Sequence, residues 1–244
     1  MLSSSSRSTT GRPRSERYKM AVAIAVFGTI VGGYVAVAQV QAARAPLPDA
    51  NQPTGACSLW FIGSSTVFKW RTLARDMVPW QAHNRGIDGA VIPRIVQAFR
   101  HEPPGPAPAG IVYYSGENDI ARGATAGQAM ADFRDFLAAK TQRYGALPVI
   151  VLALKPSPTR WSNLPAQTAF NDDLRRLATT RRDLHYLDLR SLLLVDGRPG
   201  PYYVEDGVHL NAQGYARWSA RLRPALAQLL PAVRVRYCVG AQPA

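Results

Sequence analysis

The 244 residues are 47% hydrophobic and 18% charged, enough for one well-packed domain with appendages. The net charge is +13, but it is dispersed. Residues 1–19 supply +4, and the densest later spots, Arg175-Arg176 and Arg181-Arg182, read as a solvated helix face rather than a nucleic-acid surface. Neither Cys57 nor Cys238, the only cysteines, lies near a histidine in sequence, which argues against metal binding and thiol catalysis.

Residues 1–19 are rich in Ser and Arg and read as a disordered cytoplasmic basic tail. Met20 to Val40 follows as 21 uncharged residues, long enough to span a hydrocarbon core of about 30 Å. The basic tail before it would stay inside, so the sequence predicts a transmembrane signal anchor with the rest of the chain extracytoplasmic, or periplasmic in a Gram-negative cell. The alternative is a cleaved signal peptide, with a small-residue site at Val40-Gln41-Ala42 and a secreted product. Residues 41–56 contain Pro46, Pro48 and Pro53 and read as a linker. The folded domain is expected over 57–230, followed by a tail over 231–244.

Within the domain, apolar runs alternate with helical periodicity. Strands are predicted at Leu59–Ile62, Trp80–Asn84, Ile111–Tyr114, Val149–Leu154 and Leu184–Leu189. Helices are predicted at Val67–Asp76, Val91–Phe99, Ala126–Tyr144, Ala166–Thr179 and Ala212–Leu230, the last capped by Asn211. The strands lack strict alternation, and Trp80–Asn84 is the weakest of them. That pattern indicates a mostly parallel sheet covered on both faces, an α/β three-layer sandwich of flavodoxin-like type with five strands. In such a fold the first strand starts, and the last helix ends, at the sheet's lower edge. A Cys57–Cys238 disulfide would join them, as an extracytoplasmic setting permits.

Ligand sites in these folds lie at the carboxyl ends of the strands. Four segments with chemical potential fall there. Gly63-Ser64-Ser65 offers an exposed serine at a strand-to-helix turn. Asp206-Gly207-Val208-His209 spaces an acid and a histidine so that one turn presents both on the same side. Asp206 would then hold Nδ1 and leave Nε2 free to take a serine proton. Asn118 and Gly89 offer a side-chain amide and an unobstructed backbone N–H, which with the Ser65 N–H would make a three-donor oxyanion hole.

These segments, Phe61-Ile62-Gly63-Ser64-Ser65, Asn84-Arg85-Gly86-Ile87-Asp88-Gly89, Gly116-Glu117-Asn118-Asp119 and Asp206-Gly207-Val208-His209-Leu210-Asn211, resemble the four blocks of the SGNH, or GDSL-type, hydrolases. They occur in family order between Leu59 and Leu230. The resemblance implies a serine esterase with Ser65 as nucleophile, His209 as base and acid, and Asp206 as its orienter. It assigns the oxyanion donors to Ser65, Gly89 and Asn118, and implies no metal and no organic cofactor. Ser64 stands where the family's motif has an acid, and is a rival nucleophile. Gly86 is a rival for the oxyanion glycine.

The loops Lys155–Pro165, with Trp161, and Asp196–Glu205, with Tyr202 and Tyr203, can reach the site. Trp161 and Ser64 are candidate substrate-lining residues. The expected substrate is a small-molecule or glycan ester with a short acyl or acetyl group, the membrane is met through the N-terminal helix, and no nucleic-acid partner is expected. Two other classes compete: a catalytically silent module that binds acylated glycans, and an anchored protein whose basic surface holds anionic polymer or lipid.

Overall fold

The computed structural model describes residues 45–239 and, before them, Lys19, Phe27, Val31, Gly33, Gln41 and Arg44, each helical. The chain divides into two units at Ala45/Pro46, and only the second is described in detail. The predicted membrane anchor and cytoplasmic tail lie, apart from isolated positions, outside the described residues. Among the described residues no helix is long and apolar enough to cross a membrane.

Five parallel strands make the sheet: β1 (Ser58–Gly63), β2 (Gln81–Gly86), β3 (Gly110–Tyr114), β4 (Val149–Leu152) and β5 (Leu184–Leu187), in the order β2-β1-β3-β4-β5. This is the flavodoxin-like order. A separate two-stranded hairpin joins β6 (Leu194–Val195) to β7 (Arg198–Pro199).

Helices cover both faces of the sheet. They are α1 (Ser65–Phe68), α2 (Leu73–Asp76), α3 (Ile92–Arg100), α4 (Glu117–Ala121), α5 (Ala126–Tyr144), α6 (Leu164–Thr179), α7 (Ala212–Leu229) and α8 (Ala232–Val239). Strand alternation sets the layers, because neighbouring residues point to opposite faces. Tyr113 meets Phe136 of α5 at 4.4 Å between ring centroids, while Tyr114 meets Trp218 of α7 at 5.3 Å. In β1, Trp60 turns to Tyr144 and Phe61 to Trp70. Both faces of β1 and β3 are thus covered by aromatic rings, as their unbroken apolar runs require. Thr125 and Gln128 form a reciprocal capping box at the start of α5. Asn211 caps α7 by accepting from the Gly214 N–H at 3.0 Å.

Three departures from the expected elements have local causes. The single helix expected over Val67–Asp76 is two short ones, separated by Lys69–Thr72, where Trp70 turns into the core. The linker ends early. Leu47 is 1% exposed, its N–H donates to Glu102, and the Asp49 carbonyl accepts from Arg85, so the chain from about Pro46 is strapped to the domain. The expected C-terminal tail contains α8, which is pinned by the Cys57–Cys238 disulfide, with Cα atoms 5.5 Å apart.

Candidate active site

β1 ends at Gly63, where no other residue fits: a Cβ there would lie 2.2 Å from the Tyr114 carbonyl oxygen. That close approach lets the Ser64 N–H donate to the same carbonyl at 3.1 Å. Ser64 is drawn into the sheet edge and is 1% exposed, so it is buried rather than at a substrate surface as expected. Ser65 follows at the start of α1 and is 6% exposed, so the serine expected to be exposed is largely covered.

The partner of that hydroxyl arrives from the loop before α7. His209 Nε2 lies 2.7 Å from Ser65 Oγ, and His209 Nδ1 lies 2.6 Å from Asp206 Oδ2. Ser65, His209 and Asp206 therefore form a continuous hydrogen-bonded line, and Ser65 rather than Ser64 is the serine that meets the histidine. Asp206 also accepts the N–H groups of Val208 and His209 on Oδ1. Burial opposes its ionisation, but the hydrogen bonds from the His209 ring and these two backbone groups outweigh it and hold its carboxyl at about 2. The turn needs Gly207, whose φ is +63°, and a Cβ there would lie 2.4 Å from Thr159 Oγ1. Thr159 braces this turn through its hydroxyl, which donates to the Asp206 carbonyl at 2.7 Å.

The N–H groups of Ser65 and Gly89 find no acceptor among the described residues. Gly86, the rival glycine, has its N–H engaged by Asn84 Oδ1 at 3.1 Å and packs tightly against the α1 backbone. Asn118 sits in α4, at the end of β3 and 6% exposed. Its Nδ2 donates to the Ala90 carbonyl at 2.9 Å, which leaves a second amide hydrogen. This contact ties the β3 end to the loop that carries Gly89.

Sequence reasoning passed over four polar residues beside Asn118. Glu117 and Lys155 form a buried ion pair, 2.9 Å from Nζ to Oε1. Tyr114 donates its hydroxyl to Glu117 at 2.8 Å. Arg160 donates to Asn118 Oδ1 at 3.0 Å. Burial pushes the Lys155 amine down from its ordinary value, against the opposing effect of Glu117. The available signal was Lys155 standing directly after the apolar run Val149–Leu154 and Glu117 three residues beyond the run that ends at Tyr114.

Trp161 lies in the loop after β4, two residues beyond Thr159, which bonds the Asp206 carbonyl. It lines a cavity of about 320 Å³ with Pro156, Leu164, Asp188, Arg190 and Leu194, and Arg198 stacks on its ring at 4.9 Å. Tyr203 holds this loop by donating to the Pro156 carbonyl. Among the described residues no group of three or more His, Cys, Asp or Glu side chains is arranged to hold a metal ion.

A model described as the GDSL-like Lipase/Acylhydrolase family matches residues 63–217. The chain belongs to this family. No sequence among curated proteins matches it. Solved structures share the fold at low identity. A candidate platelet activating factor from Streptococcus pneumonia is 20% identical, with a TM-score of 0.64 over 84% of this chain and 99% of that one. A GDSL-like lipase from Bacteroides thetaiotaomicron is 18% identical, with a TM-score of 0.61 over 78% and 95%. A carbohydrate esterase family 3 protein from Talaromyces cellulolyticus is 17% identical, with a TM-score of 0.59 over 70% and 97%. At these identities the likeness is one of fold.

Proposed function

We propose that this member of the GDSL family is a serine esterase that hydrolyses short-chain acyl or acetyl esters. The observation that carries the reading is the line from Asp206 through His209 to Ser65 Oγ at 2.6 and 2.7 Å. Asp206 holds the proton on Nδ1, so Nε2 can take the Ser65 proton as Oγ attacks the ester carbonyl. The Ser65 and Gly89 N–H groups and the second Asn118 amide hydrogen receive the oxyanion. His209 then protonates the leaving alcohol, and water repeats the cycle on the acyl-enzyme.

The alcohol side is read as a sugar. The Trp161 cavity pairs an aromatic and aliphatic wall with the polar groups of Asp188 and Arg190, a mixture suited to a carbohydrate ring. The uncharged run from Met20 to Val40 supports an anchored, extracytoplasmic placement, which cell fractionation with protease protection tests. A silent binding module gains no support from Ser64, which is buried, with its N–H on the Tyr114 carbonyl and its own carbonyl accepting from Val67 and Phe68.

The reading is tested with the full chain on p-nitrophenyl acetate and decanoate. Acetate turns over faster, and Ser65→Ala or His209→Ala lowers kcat by roughly a thousandfold or more. Equal rates in wild type and both variants would remove the esterase reading.

A further inference from the structure

The buried charges beside Asn118 have no part in the steps above. Lys155 Nζ contacts both oxygens of Glu117, at 2.9 and 3.1 Å, with the two side chains 0% and 2% exposed. That pairing neutralises Glu117. Arg160 stands further from the carboxylate, 4.0 Å from Oε1, and makes its closer bond to Asn118 Oδ1 at 3.0 Å. Two cations thus face one anion, and one positive charge remains against the Asn118 amide. A buried ion pair is weak evidence of a stability role, because desolvation offsets most of the attraction.

The amide is held at both ends. The Ala90 carbonyl accepts from Nδ2, and Arg160 donates to Oδ1. A flipped amide would set oxygen against the carbonyl and NH2 against the guanidinium, so only one orientation is allowed. A cation on the amide oxygen also draws electron density from the nitrogen. Linked hydrogen bonds polarise one another in this way, and the remaining N–H becomes a stronger donor.

We infer that Arg160 is a positioning residue for the oxyanion hole: it locks and polarises the Asn118 amide, and the Glu117–Lys155 pair beneath fixes it there. The inference rests on the esterase reading, with Asn118 as an oxyanion donor. Its neighbour gives independent support for this role of the loop. Thr159 bonds the Asp206 and Gly207 carbonyls, so consecutive residues of one loop hold the triad turn and the oxyanion amide in register.

The test is a double-mutant cycle on the full chain with p-nitrophenyl acetate, an uncharged substrate. Asn118→Ala removes one donor and lowers kcat by roughly a hundredfold or more. Arg160→Ala lowers kcat by roughly tenfold to a hundredfold while KM stays within about twofold, and Arg160→Lys recovers part of the loss. In the Asn118→Ala background, Arg160→Ala costs no more than about a further threefold, because its effect passes through the missing amide. Added guanidinium at millimolar concentration restores rate to Arg160→Ala and not to the double variant. Additive losses would overturn the inference. So would a raised KM with unchanged kcat, which would make Arg160 a substrate-binding group. Ser65→Ala run alongside separates the two levels: wild-type rates there would end the esterase reading itself, whereas a Ser65-dependent rate indifferent to Arg160 would end only this inference.

Discussion

His209 Nε2 meets Ser65 Oγ at 2.7 Å across 144 residues of chain. Ser65 comes from the end of the first strand and His209 from the loop before α7. The two stay in register because α7 is fastened to the Ser65 turn. The Tyr215 hydroxyl donates to the Thr66 carbonyl at 2.8 Å, and Tyr215 stacks on Trp70 at 5.0 Å between centroids. The Ser65–His209 distance is thus set by core packing, with the loop before α7 braced by the Thr159 hydroxyl.

Asp206→Asn preserves the size of the side chain but lets an amide N–H point at Nδ1. The imidazole then takes the other tautomer, with its proton on Nε2, and cannot accept from Ser65. A fall in kcat of about 10⁴ with little change in KM is expected in steady-state kinetics. The carboxyl sits at about 2, below the 3.8 of an unperturbed Asp, so its ionised interactions are complete above about pH 4 and vanish as pH falls through about 2. Protonation of Asp206 should therefore add no limb to the wild-type kcat profile above about pH 4, and an acid limb above that pH which Asp206→Asn abolishes would contradict this assignment.

The disulfide fixes the two ends of the domain, far from the chemistry. Cys57 and Cys238 are 181 residues apart, and β1, about 20 Å long, separates Cys57 from the Ser65 turn. Cys57→Ser with Cys238→Ser should lower unfolding free energy by roughly 2–4 kcal/mol in urea titration and leave kcat at 25 °C unchanged. Loss of activity in the still-folded variant would show that α8 reaches the site by some other route.

Lys140 is fully buried and meets Asp183, which also accepts from Arg181. The hydrogen bond from Arg181, against opposing burial and with help from Lys140, holds Asp183 at about 2. Its folded value is below its unfolded one, so its stabilising contribution is complete above about pH 4 and is lost as pH falls through about 2. Asp183→Asn leaves the Lys140 ammonium buried without its counter-ion and should cost roughly 3 kcal/mol near pH 7 in chemical denaturation. The gap from wild type narrows below about pH 3. A gap that widened on acidification would refute the sign.

The sheet and the triad were legible for different reasons. Runs such as Ile111–Tyr114 and Val149–Leu154 are apolar at every position because both faces are covered, and that pattern survives without any tertiary knowledge. Ser65, Asp206, His209 and Asn118 stand in short segments whose chemistry is local. The supporting set was not legible. Glu117 and Lys155 are 38 residues apart and meet only because β3 and β4 are neighbours in the sheet. Leu47 looked like a linker residue because Pro46 and Pro48 flank it, whereas the Arg85–Glu102 pair that captures it comes from β2 and the end of α3. The helix break after Phe68 follows from Trp70 seeking the core, a preference that competes with helical periodicity rather than shows in it.

The most direct measurement is to treat the full chain with a fluorophosphonate and map the adduct by tandem mass spectrometry, with His209→Ala in parallel. A single stoichiometric adduct on Ser65, lost or strongly slowed in His209→Ala, is the predicted result. An adduct on Ser64, or no His209-dependent labelling of Ser65, would contradict it.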